Sequence, residues 1–436
     1  MNSKTEIIID TSELRFIEGH GRLVVRVSGK DVEAEFHNLE GPRFLTRYLV
    51  GKPVEMAPRV ASRICGLCYT AHSISAAEAV ERALGIEVSK EVRDLRSVLY
   101  LANNLRSHMM HLLYLSIPAI EGLISVLRMR DKEVFRVGSR ILAKATELIE
   151  IWGGRSVHVP NVVVGGFGAP IRERELVNSV KDLVGLLEDA QSFVRYALNL
   201  ELPDLERYRV LAALKKPGSY PIYSEGATVA FSDGSILNDK EYYDGLEEVT
   251  KDYSTSKHVY FKASEITVGA LSRMMLNRKY LSSGARALAE EVDWSINPFL
   301  IVKAQAIEVI HYIEELIRLG GELAGIMMEH KKQAVGGMVP DVGELDYSGR
   351  SGKGVFVAEA PRGTLCHSCV VENGVIKDYR VYTPTAVNSK SIERDAVELV
   401  KRFRPIGMEK LRFILEDLVR SYDPCLSCAV SLDVYG

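Results

Sequence analysis

Long apolar runs are missing from this 436-residue chain, and none approaches the roughly 18 to 20 residues that a membrane-spanning helix needs. The first ten residues lack the apolar core of a secretory leader, so the expectation is a cytoplasmic protein with no membrane span. Blocks of one charge are missing too. Lys and Arg total 55 against 58 Asp and Glu, without a basic cluster, which removes nucleic acid and anionic membranes as partners. There is no internal repeat and no low-complexity linker. Cysteine is scarce, and all six fall in three Cys-x-x-Cys pairs (Cys65/Cys68, Cys366/Cys369, Cys425/Cys428), a pattern of metal or redox chemistry rather than of a disulfide framework.

What is present is a hydrophobic content of 47%, enough for a sizeable core. Residues 23–27 and 32–36 alternate around a Gly-Lys-Asp turn and predict a hairpin. Helical spacing runs over 71–127, 132–152, 172–199, 285–292, 298–330 and 392–422, with strand-like patterns at 354–358 and 375–382. The expected fold is mainly α with small β-sheets (α+β), a long-helix core in one domain spanning 1–436. Within it, about 1–60 is β-rich, about 61–200 is the helical core, about 201–270 is a loop-rich insertion, and about 271–436 is helical and metal-binding.

The outer two Cys-x-x-Cys pairs suggest a four-thiolate site buried between the two ends of the chain. Soft thiolates select zinc, iron or nickel. From the cysteines alone, a structural zinc scaffold and a catalytic centre both stand.

Six segments, in order, resemble the large catalytic subunit of nickel-iron hydrogenases. They are Ile17-Glu18-Gly19-His20; Arg63-Ile64-Cys65-Gly66-Leu67-Cys68 with His72; His108-x-x-His111; Gly154-Arg155 with His158 and Gly165-Gly166; Glu359-Ala360-Pro361-Arg362-Gly363; and Asp423-Pro424-Cys425 with Cys428. Glu40-Gly41-Pro42-Arg43-Phe44 and Val164-Gly165-Gly166-Phe167-Gly168 look most like the soluble, multi-subunit branch. The resemblance implies reversible heterolytic cleavage of dihydrogen. Cys65 and Cys425 would be terminal nickel ligands, and Cys68 and Cys428 would bridge nickel to an iron carrying carbon monoxide and cyanide. Cys425 would also take part in proton transfer, Arg362 would hang over the metals, and Glu18 would carry protons away. Thr385 and Pro361 would both lie at the cofactor, Thr385 serving a cyanide ligand; His72 would hydrogen-bond a bridging thiolate; Asp423 would orient Arg362. The bland alternatives are a buried structural cation at Arg362 and a solvated strand-end carboxylate at Glu18. His108 and His111 share a helical face and, with no carboxylate nearby in sequence, read as packing or proton-path residues.

Two thiols, Cys366 and Cys369, remain, and they are too few for a four-cysteine iron-sulfur cluster. Packing is their default reading. Electrons would therefore leave through an iron-sulfur small subunit, with further electron-transfer subunits (flavin, nicotinamide, deazaflavin or heterodisulfide linked) and maturation chaperones implied by the family. Three positions depart from its pattern. Thr46 and Ser431 replace a glutamate and a histidine that help bind an accessory magnesium-like ion, which suggests that this ion is missing, and Ser431 also alters a processing signal. Ala119 replaces an aspartate that pairs with the arginine over the metals. These departures keep open an alternative, a hydrogenase-like redox subunit with altered chemistry such as sulfur-compound reduction or electron-transfer coupling.

Overall fold

The computed structural model describes residues 6–430 except 12–13, 124, 130, 171–172 and 334–345. The chain opens with a three-stranded antiparallel sheet, Glu6–Asp10, Gly21–Ser28 and Asp31–Asn38, in which Ser28 pairs with Asp31 across a tight turn at Gly29, whose φ is +64°. That positive φ is free of steric cost only for glycine.

The body is built of long helices: Tyr69–Leu84, Lys90–Met110, Lys132–Gly153, Glu173–Leu198 and Ile301–Gln333. Their ends are written locally. Ser89 accepts a hydrogen bond from the Val92 N–H, Asp131 accepts from Glu133 and Val134, and left-handed Gly85 and Gly154 close two C-termini. Periodicity alone predicts one helical stretch over 71–127. The structure breaks it at Gly85 and again beyond a π-helical segment, His111–Ser116, which precedes Pro118. A proline lacks the N–H that would continue the α-helical ladder, so a local change of register there is expected. The stretch 392–422 is likewise two helices, Pro384–Phe403 and Met408–Ser421, parted at Pro405-Ile406-Gly407, where Gly407 has φ +95°.

A second three-stranded antiparallel sheet, Gly352–Ala360, Gly363–Glu372 and Val375–Tyr382, lies on the helix Tyr69–Leu84. The approach is close enough that a Cβ on Gly354 would stand 1.9 Å from the Ala79 carbonyl, so glycine is required there. The middle strand was not apparent from the sequence pattern. The region 201–270 supplies short strands, Ala212–Lys215, Thr228–Phe231 and Ile236–Leu237, and a separate antiparallel pair, Leu246–Val249 with His258–Phe261. Leu214, Val229, Phe231 and Val259 there share an apolar cluster with Val357 and Cys366 of the second sheet. Among the described residues, no helix is long and apolar enough to cross a membrane.

Candidate metal centre

Cys65 and Cys68 lie in the turn that enters the helix Tyr69–Leu84, with Cys68 at its N-cap. The Cys65 sulfur accepts hydrogen bonds from the N–H groups of Leu67 (3.1 Å) and Cys68 (3.3 Å), an arrangement that favours thiolate. A neighbouring loop braces this turn: His158 Nδ1 donates to the Ser62 carbonyl at 2.6 Å, and the Tyr69 hydroxyl donates to the Ser156 carbonyl. Cys425 and Cys428 follow the helix Met408–Ser421 through Asp423, held at φ +50°, and Pro424. A parallel bridge between Glu18 and Cys425 ties this segment to the N-terminal part of the chain.

The four sulfurs converge. Cys65 Sγ is 3.2 Å from Cys425 Sγ, Cys428 Sγ is 2.9 Å from both Cys68 Sγ and Cys425 Sγ, and all four ligand atoms fall within 4.8 Å of one another in the interior. None is disulfide-bonded. Burial works against the Cys65 thiolate, but hydrogen bonds from the other three cysteines and the Arg362 charge draw its pKa well below that of an ordinary thiol. Burial pushes Cys425 and Cys428 well above theirs. Four thiolates in so small a space are tolerable only with cations between them, so the donor set and its charge fit one or two soft metal ions.

Beside the sulfurs is a small cavity, lined by Cys68, Cys428, Pro361, Arg362, Pro384 and Thr385 among others. Arg362 is at the tip of a two-residue turn, Pro361-Arg362, joining strands that pair from Ala360 to Gly363. A β-hairpin tip gives the side chain a rigid base. Its Nε donates to the Asp423 carbonyl (2.6 Å), Nη2 to Asp423 Oδ1 (2.7 Å) and Nη1 to Ser107 Oγ (3.1 Å). Burial opposes its charge, but Asp423 and the thiolates outweigh that and keep the guanidinium firmly protonated. Asp423 Oδ2 accepts from Gln305, which also contacts His111, so one polar chain runs from the arginine to the helix Lys90–Met110 and its π-helical extension.

Glu18 is half-buried and hydrogen-bonded, unlike a solvated strand-end carboxylate. Its carboxylate accepts from the Ser427 N–H (3.1 Å) and from the Ser427 hydroxyl, which itself lies 3.8 Å from Cys425 Sγ. Burial and the nearby Cys65 charge raise its pKa. Thr385 Oγ1 accepts from the Cys425 N–H at 3.0 Å, and His72 Nε2 stands 3.7 Å from Cys428 Sγ.

The sequence offered His108 as a packing or proton-path residue and gave no sign of its partners: it meets Glu308 at 2.7 Å, and Glu308 is gripped by Arg273, whose guanidinium also donates to Glu359 and to the carbonyls of Ala360 and Pro361. Ser107, Ser427 and His367 were missed as well, although Ser427 and His367 stand inside or just beyond the quoted motifs. Cys366 and Cys369 are both buried and belong to separate apolar clusters, in keeping with opposite faces of one strand, and burial raises both pKa values, Cys369 to about 12. They therefore pack. Thr46 is buried in a second cavity lined also by Thr383, Cys428 and the ion-paired Lys257 and Glu248, so a lysine ammonium borders that space. Ala119 is buried, and Ser431 lies outside the described residues.

Burial moves Glu359 from the ordinary 4.5 to about 7 despite Arg273 and the Leu214 N–H. Between those values the folded protein holds a proton that the unfolded chain has released. The stability this contributes is complete below about 4.5 and is lost as pH rises through 7, a span of roughly 3 kcal/mol. Glu359→Gln should flatten the stability profile between about pH 4.5 and 7, measured as unfolding midpoints at several pH values within that window; an unchanged slope there would exclude Glu359 as its source.

The family model described as nickel-dependent hydrogenase matches residues 43–126 and 214–431, which include all four clustered cysteines. The chain is 31% identical over 427 residues to the alpha chain of sulfhydrogenase 1 from Pyrococcus furiosus, covering 95% of each. It is 26% identical to a chain of the F420-non-reducing hydrogenase of Methanothermobacter thermautotrophicus, covering 95% of this chain and 92% of that one. Its fold superposes on a chain from the crystal structure of an NAD+-reducing [NiFe]-hydrogenase in the H2-reduced state with a TM-score of 0.83, at 23% identity, covering 98% of this chain and 100% of the other.

Proposed function

Because this chain belongs to the nickel-dependent hydrogenase family, we propose that its four-cysteine cage holds nickel and an iron bearing carbon monoxide and cyanide, and that it catalyses reversible heterolytic cleavage of dihydrogen. The convergence of four buried sulfurs beside Arg362 is the observation that carries this reading. Cys65 and Cys425 would hold nickel, and Cys68 and Cys428 would hold both nickel and iron. Bound there, the metals would supply the Lewis acidity that polarises dihydrogen.

The residues of the chain do the rest. Arg362 presents a fixed positive charge to the cavity and is aimed by Asp423 and Ser107. Glu18 receives the proton that leaves the Cys425 sulfur, by way of the Ser427 hydroxyl, and its raised pKa brings it nearer to working pH. Thr385 spends its lone pair on the Cys425 N–H, which leaves its own proton for an acceptor in the cavity, such as a cyanide nitrogen. The cavity at Thr46 is bordered by the Lys257–Glu248 ion pair, each charge already answered by the other, in keeping with a site that needs no accessory divalent ion.

Electrons leave through a separate iron-sulfur subunit, because the two remaining cysteines are buried apart. Further electron-transfer subunits and a cytoplasmic location belong to the same reading. The names of the Pyrococcus furiosus relatives favour a second activity of the whole assembly, reduction of sulfur compounds with dihydrogen.

The test is infrared spectroscopy and nickel analysis of the complex from its native host, followed by dihydrogen-dependent dye reduction. Carbon monoxide and cyanide bands, nickel and dye reduction are expected together. A fully metallated complex with no dye reduction would remove both activities, since each draws its electrons from dihydrogen, whereas sulfide formed from a sulfur compound under dihydrogen, alongside dye reduction, would establish the second activity.

A further inference from the structure

His72 offers the Cys428 sulfur only one of its two ring nitrogens. The other, Nδ1, lies 3.0 Å from His367 Nε2, and His367 Nδ1 lies 2.7 Å from the Tyr379 hydroxyl. The three side chains come from the helix Tyr69–Leu84, the strand Gly363–Glu372 and the strand Val375–Tyr382, and all are buried, with 1%, 0% and 2% exposure. Tyr379 thus ends an unbroken line of hydrogen-bonding groups that begins at the metal cage.

A neutral imidazole has one donor nitrogen and one acceptor, so each link in such a line fixes the next. Burial holds His367 neutral, and burial also keeps the Tyr379 hydroxyl protonated. Two polarities are available. If Tyr379 donates to His367 Nδ1, then His367 Nε2–H donates to His72 Nδ1, and His72 turns its Nε2–H toward Cys428. In the reverse polarity, the phenol proton loses its acceptor and a bare imidazole lone pair faces a thiolate. The first polarity satisfies every group, and the second leaves two buried groups unsatisfied.

We infer that Tyr379 is a positioning residue that, through His367, locks the tautomer of His72 so that a hydrogen bond is always donated to the Cys428 sulfur. Donation to a ligating thiolate withdraws electron density from the sulfur and from whatever it binds, which is how outer partners tune metal sites. The inference rests on the hydrogenase reading and adds two residues to it.

The test uses the metallated complex and reads infrared bands rather than turnover. Tyr379→Phe deletes only the terminal hydroxyl. With nickel content unchanged, the carbon monoxide and cyanide bands should move to lower frequency as the sulfur becomes more electron-rich. Adding His367→Gln to that variant should return them toward the wild-type position, because the amide donates to His72 Nδ1 without help from residue 379. Bands that stay put in Tyr379→Phe overturn the inference, as does a shift that His367→Gln fails to reverse, since a packing change would not be rescued this way. Absence of nickel and of these bands from the wild-type complex overturns the hydrogenase reading and this inference with it.

Discussion

Replacing Arg362 by lysine is expected to lower dihydrogen oxidation on the order of 10²-fold, the usual loss when one preorganised charge-stabilising donor is removed from a site, while nickel and iron contents stay near wild type. Lysine keeps the charge but not the geometry. The guanidinium uses Nε and Nη2 together on Asp423 and Nη1 on Ser107, three bonds that fix its plane at the hairpin tip. A lysine ammonium reaches Asp423 as a point charge and leaves either the Asp423 carbonyl or Ser107 without its donor. Assays of the purified complex with an artificial acceptor, paired with metal analysis, decide the matter. If Arg362 were only a buried counter-ion, activity per metal centre would survive the change, and a near-normal rate would remove it from the reaction.

The second large effect is on stability. Arg273→Met should destabilise the protein by roughly 3–5 kcal/mol, the cost of stranding a buried charge. Arg273 is fully buried and holds Glu308 through both carboxylate oxygens, at 2.6 and 2.7 Å, while donating to Glu359 at 2.9 Å. Burial would neutralise Glu308, but Arg273 and His108 overcome it and keep the carboxyl ionised, far below its ordinary pKa. Glu359 already stands close to neutral, so most of the cost falls on Glu308. Removing that carboxylate too, by Glu308→Leu in the same chain, should recover part of the loss because no lone charge remains. Denaturant midpoints of the single and double variants are the measurement, and a wild-type midpoint for Arg273→Met would show that the buried network contributes nothing. Because Arg273 also donates to the carbonyls of Ala360 and Pro361, the same change should disturb the turn that carries Arg362.

The cage itself was legible because cysteine is rare and its spacing is strict. Arg362 and Asp423 were legible through the family resemblance, since each stands in one of its motifs, Glu359-Ala360-Pro361-Arg362-Gly363 and Asp423-Pro424-Cys425. The middle strand Gly363–Glu372 escaped because it is buried on both faces over most of its length, so the alternation that betrays a half-buried strand is absent. Glu308, inside the helical pattern 298–330, and Arg273, outside every predicted element, carry no mark of burial in the sequence, and the partners in such networks are distant: His108 lies 200 residues from Glu308 and His72 lies 295 from His367. Helix length was overestimated where periodicity continued across Gly85 and Gly407, since a left-handed glycine or a Pro-Ile-Gly break ends a helix without changing the hydrophobic pattern.

The cysteine pairs that meet at the cage stand 360 positions apart, 65 with 425 and 68 with 428. A metal bound by all four sulfurs is thermodynamically a cross-link, and closing a loop of that size withdraws roughly 6 kcal/mol of conformational freedom from the unfolded chain. Losing the metal therefore costs the protein more than a catalyst: it reopens almost the whole polypeptide as a single loop, so occupancy of the centre and resistance to unfolding rise and fall together.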